Sequence, residues 1–270
     1  MNTVIALVLF PGLLLTLVLG GAYHVLVENT HFGRLRLPAP SLESITAAVS
    51  VLLAALGVLL LPWPLHPRAG SPWVDRPFVL LLAFEGAFLL PLVPGLLARD
   101  PLANRATIRE AQIGIAGRVV VWLALGTLLW GVGTWSPISL PGRLLIILAG
   151  LLALGAALGA GPFSADRALA SDGAEHGLDA ATAGLLRFAR STRNAALLLA
   201  FALAIVPRAT VQPAVALLLI AAITLVVGIV LRRISGALPR MALPNTLRWC
   251  WWRALPLALV GLCYLALVAQ

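Results

Sequence analysis

The chain has no lysine, two cysteines, four histidines and only ten carboxylates in 270 residues, and each scarcity excludes something. Cys250 and Cys263 flank the last apolar run thirteen residues apart, a spacing that serves neither a zinc site nor an iron–sulfur cluster. A haem held between helices by two histidines needs both at membrane depth, and only His24 lies inside an apolar run. His31, His66 and His176 fall in connections. Redox cofactors are therefore expected in a partner and none in this chain, metals included. No Gly-x-Ser-x-Gly elbow or phosphate-cradling glycine loop is present, and no two carboxylates share a helical face as a catalytic pair. Independent catalysis is not expected, intramembrane lipid modification included. Residues 1–27 carry no charged residue ahead of Glu28 and lack the basic segment of a cleavable signal, so they read as a membrane span.

What is abundant is apolar. Hydrophobic residues make up 61% of the chain and charged ones 11%. With a mean hydropathy of +1.01, most of the chain has lipid as its solvent. Runs of about twenty apolar residues are long enough to cross a hydrocarbon core of about 30 Å as helices. Eight are expected, at 3–27, 44–65, 77–98, 112–133, 144–161, 189–207, 210–231 and 253–269. The fold class is an all-α polytopic membrane protein with a single domain over 1–270. The sixth run is the least apolar, with fourteen uncharged residues between Arg193 and Arg208.

The net charge of +9 is carried by nineteen arginines against the ten acids. Fourteen arginines lie in the connections after spans one, three, five and seven, four lie on the opposite side, and Arg118 lies within span four. The positive-inside rule then places both termini away from the cytoplasm of a multi-pass inner-membrane protein, with cytoplasmic loops at about 28–43, 99–111, 162–188 and 232–252. The arginines sit in short connections beside lipid, not among aromatics in a basic patch, so nucleic acid is not an expected partner. The third loop holds Asp166, Asp172, Glu175 and Asp179 and is longer than a hairpin needs, which marks a docking surface.

Glu85 and Arg118 stand out because an ionisable group at membrane depth costs about 2.5–3.5 kcal/mol on insertion scales. Placed on adjacent helices they can form an ion pair, or Glu85 can titrate in a proton path. Arg187, Arg190 and Arg193 recur every third residue on one side of a helix, positioned for lipid phosphates or for the acids of a partner. Trp249, Trp251 and Trp252, between Arg248 and Arg253, read as an aromatic belt anchoring the last span. No internal repeat suggests a transporter built from two halves.

Four stretches, in order, resemble the eight-helix membrane subunit shared by respiratory complex I (its subunit 1, of the NADH dehydrogenase type) and the membrane-bound group 4 hydrogenases, including formate hydrogenlyase. They are Phe10-Pro11-Gly12 with the basic loop Phe32-Gly33-Arg34-Leu35-Arg36-Leu37-Pro38; Ile108-Arg109-Glu110-Ala111-Gln112; Gly161-Pro162-Phe163 followed by acids; and Leu238-Pro239-Arg240 with Trp252 and Leu255-Pro256-Leu257. The resemblance implies a non-catalytic oxidoreductase subunit that links electron transfer in peripheral iron–sulfur and hydrogenase-like subunits to proton translocation, alongside antiporter-like membrane subunits. Nickel–iron or quinone chemistry would belong to partners. Glu85, Glu110, Arg109 and Arg118 would be the polar elements of any ion path, and Arg34, Arg36, Asp166, Asp172, Glu175, Asp179, Arg187, Arg190, Arg193 and Arg240 would face partners. Arg118 stands where the family has a glutamate, and the acids usual at the entrance to span six are replaced by arginines, which favours the hydrogenase-type branch. A purely structural scaffold and a small secondary transporter are the alternatives.

Overall fold

The computed structural model describes residues 8, 10–28, 39–65, 76–131, 135–164, 175, 177–207 and 211–268. They form α1 (Leu13–Leu26), α2 (Leu42–Leu60), α3 (Pro77–Leu97), α4 (Pro101–Trp130), α5 (Leu140–Ala157), α6 (Ala180–Ile205), α7 (Pro213–Ala237) and α8 (Leu243–Val268), with no strand among the described residues. Helices α2 to α8 are long and apolar enough to cross a membrane. The apolar α1 has 14 residues, about 21 Å of helix.

Local chemistry fixes the helix starts. Pro77, Pro101, Pro141, Pro213 and Pro244 occupy the first turns of five helices, where a missing N–H costs nothing. Ser41 and Ser44 form a reciprocal capping box at α2. Pro91 and Pro94 break α3 with a 3-10 turn at Leu90–Leu92, and a π-helical turn at Cys250–Ala254 precedes Pro256 in α8.

Three of the expected loops are shorter than drawn. Helix α4 begins at Pro101, so most of 99–111 is helical; α6 begins at Ala180; and 232–252 is helical outside 238–242. In the first two cases an aspartate cap, Asp100 or Asp179, starts the helix well ahead of its apolar run, and polar opening turns resemble a loop when only hydropathy is weighed. Arg118 therefore sits near the middle of a 30-residue helix.

Helix α6 is the axis of the bundle, touching α1, α2, α3, α4, α5 and α7. Every residue from Ser191 to Ala204 is buried. This accounts for its modest hydropathy, because a helix solvated by protein can carry Arg193 and Asn194 where one solvated by lipid cannot. Helix α7 is the converse: strongly apolar, and buried only at Ala216, Ile220, Gly228 and Leu231. Small residues bring the neighbours close. A Cβ on Gly20 of α1 would fall 2.3 Å from Thr192 Oγ1 of α6, and one on Gly117 of α4 would fall 2.3 Å from the backbone nitrogen of Ala157 in α5.

One end of the bundle is tied together by backbone carbonyls. Arg109 Nη2 donates to the Met241 carbonyl at 2.9 Å, and the Met241 N–H donates to the Pro162 carbonyl at 2.9 Å. Arg232 Nη1 reaches the Leu26 carbonyl at 3.1 Å. Gly161, at φ +61°, lies against Ser235 where no Cβ would fit. Of the three tryptophans read as a belt, Trp251 and Trp252 are exposed, but Trp249 turns inward. Its indole N–H donates to the Leu152 carbonyl at 2.9 Å, and its ring packs near Phe163.

Candidate functional site: a buried chain of arginines and glutamates

The site grows from α3, α4 and α6. Arg118 and Trp122 are one turn apart on α4 and both reach Glu85 of α3: Arg118 Nη1 lies 2.9 Å from Glu85 Oε1, and Trp122 Nε1 donates to the same oxygen at 2.6 Å. Two turns toward the start of α4, Glu110 receives α6. Arg193 Nη2 bonds Glu110 Oε1, and Arg190 Nη2 lies 3.4 Å from Glu110 Oε2. Arg190 Nη1 also lies 3.4 Å from Glu175 Oε1, whose other oxygen accepts from Arg187 Nε.

Between the two halves stands Phe88. The Arg118 guanidinium lies 4.3 Å from its ring centre and that of Arg193 4.9 Å, while Arg193 Nη1 donates to the Phe88 carbonyl at 2.9 Å. Gly114 makes this possible, since a Cβ there would lie 2.3 Å from Phe88 Cζ. Arg118 Nε and Nη2 and Arg193 Nε are buried without an acceptor among the described residues. Side-chain exposure falls along the series, from 47% at Arg187 through 19% at Arg190 and 4% at Arg193 to 2% at Arg118. The chain thus runs from one rim of the bundle into its interior. A cavity of about 60 Å³ beside Glu110, Glu175, Arg190 and Arg193 has room for a few waters.

A second cluster, overlooked in the sequence, joins α1 to α6. His24 Nδ1 lies 2.9 Å from Ser191 Oγ and 3.1 Å from Glu28 Oε2, and the Ser191 hydroxyl lies 2.8 Å from the same carboxylate. Burial pushes the Glu28 carboxyl up, against the downward pull of the Ser191 hydrogen bond and the charge of Arg190. The signal was available as His24 and Glu28 four residues apart on a helix, opposite a serine that no local pattern could pair with them. Including Glu28, the assembly balances: Arg118, Arg187, Arg190 and Arg193 against Glu85, Glu110, Glu175 and Glu28.

Of the residues expected to face partners, Arg187 and Arg190 bond Glu175 and Arg190 and Arg193 bond Glu110, all within the chain, and Arg240 is exposed. Arg109 is half-buried and tethers the α7–α8 connection. Arg34, Arg36, Asp166 and Asp172 lie outside the described residues. Asp179 caps α6, and the Thr182 hydroxyl and N–H, with the Ala181 N–H, hold its carboxyl below its ordinary value. A lowered carboxylate contributes stability that is present above its unfolded value and lost as pH falls through the folded one. Acidification is therefore expected to lower the protection of the Ala181–Ala183 amides, measured as exchange relative to the intrinsic rate at each pH, and Asp179→Asn to flatten that acid dependence.

Among the described residues, no three His, Cys, Asp or Glu side chains gather as metal ligands. The chain matches no protein-family model and no curated protein.

Proposed function

We propose that this chain is the membrane anchor and coupling subunit of a complex-I-like or group 4 hydrogenase-like assembly, in which iron–sulfur partners sit on the arginine-rich face and proton movement occurs in the membrane. The observation that carries this reading is the succession of charged groups from Arg187 at the rim, interrupted only by the Phe88 ring, to the buried Arg118 and its partner Glu85. A partner that shifted Glu175 or Arg187 would change the field at Glu110 and, across Phe88, at Arg118, because charges separated by so little water are weakly screened. A second support is that two segments carrying the family likeness meet at one end of the bundle: Arg109 and Pro162 are both hydrogen-bonded to Met241, the residue after Leu238-Pro239-Arg240. In this reading that end is cytoplasmic, α1 completes an eighth span, and both termini lie outside.

The test is Glu85→Gln and Arg118→Ala in the purified assembly. Hydrogen- or quinone-linked turnover is expected to continue while proton translocation per turnover falls at least about tenfold. Retention of both in both variants would remove the coupling role, and a chain active alone would remove the assembly. The balance of four arginines with four glutamates favours a second reading, a charged but static scaffold. It predicts lost assembly yield with unchanged pumping in the complexes that do form.

A further inference from the structure

A large cavity among the described residues has no part in the charge chain. It is a cleft of about 1130 Å³ between α7 on one side and α1 and α6 on the other. Its interior offers a guest little hydrogen bonding. The Thr224 hydroxyl donates to the Ile220 carbonyl and Trp63 Nε1 to the Val58 carbonyl, and Tyr23 is buried. The remaining lining is hydrocarbon and glycine, except at one end, where Arg232 and Arg233 stand exposed on successive positions of α7. From Leu217 to Arg233 the lining face of α7 rises about 24 Å, most of a hydrocarbon core of about 30 Å.

A site that accepts only hydrocarbon along its length and bears two positive charges at its mouth fits one chemistry. The geometry points to an anionic phospholipid, one acyl chain between α7 and the α1–α6 pair, its phosphate against Arg232 and Arg233. A polar metabolite would find few partners inside. A zwitterionic lipid would gain the same burial without the charge attraction. Gly228, whose added Cβ would meet only Val27 Cγ2 at 3.4 Å, keeps the cleft wide midway.

The experiment uses the full chain reconstituted in phosphatidylcholine bilayers, with tryptophan fluorescence quenched by acyl-brominated lipid. Trp63 lines the cleft far from the arginines in the fold, and Trp63→Phe isolates its contribution. Brominated phosphatidylglycerol is expected to quench the Trp63 component at about tenfold lower mole fraction than brominated phosphatidylcholine. The pair Arg232→Ala and Arg233→Ala should erase that preference. Gly228→Phe should abolish quenching of this component by either lipid while the other tryptophans respond as before. Equal quenching by the two lipids, or a preference that survives the double alanine variant, overturns the proposal. So does a Trp63 component that no lipid reaches because a protein helix occupies the cleft.

Discussion

Glu110→Ala is expected to destabilise the folded chain by about 3–5 kcal/mol, measured as the shift in unfolding free energy in mixed micelles. The carboxylate bridges Arg193 and Arg190, and its loss leaves the Arg193 guanidinium buried with only the Phe88 carbonyl and ring. The magnitude comes from stranding a charge rather than from losing a favourable pair, so removing both partners should hurt less. Glu110→Leu combined with Arg193→Met is expected to recover most of the loss, because Arg190 retains Glu175. Arg240→Ala, on the exposed connection, provides the control and should change little. If Glu110→Ala behaved like that control, the ionic chain would not be a structural element at all.

Gly117→Ala should cost about 2–3 kcal/mol, although alanine is the better helix former. The added methyl would meet backbone atoms of Ala156 and Ala157, which cannot rotate away, so α4 and α5 must separate. Gly126 lies on the same helix, and a Cβ there meets nothing within 4 Å. Gly126→Ala is therefore expected to raise stability by up to about 1 kcal/mol. Opposite signs for one substitution at two positions of one helix separate packing from propensity. A shared sign would mean that the α4–α5 approach is looser than 2.3 Å implies.

These two predictions rest on different kinds of information, and the sequence exposed them unequally. Glu85 and Arg118 could be paired in advance because each interrupts a long apolar run, where a charge stands out against its surroundings. Glu110 and Arg193 could not. Glu110 lies in the polar first turns of α4, which resemble a solvated loop until Asp100 is recognised as a cap, and Arg193 lies mid-helix once Asp179 starts α6 at Ala180. Their contact also spans 83 residues, and no periodicity encodes which helix becomes the axis of a bundle. The weak hydropathy of α6 was visible, yet weak hydropathy describes both a marginal span and a fully enclosed one. The same ambiguity hid the His24–Ser191–Glu28 cluster, in which a lone intramembrane histidine gains meaning only from a serine 167 residues away.

The enclosed position of α6 bears on how the protein is made. A segment carrying Arg193 and Asn194 partitions poorly into lipid by itself, at about 2.5–3.5 kcal/mol for a central arginine. Its favourable environment exists only once α1 to α4 are in place to offer Glu110 and the carbonyl and ring of Phe88. Biogenesis must then be cooperative, with the translocon holding earlier helices together until the sixth arrives. Truncation ahead of α6 would leave Glu110 unmatched in the bilayer, a state that membrane quality-control proteases are built to recognise.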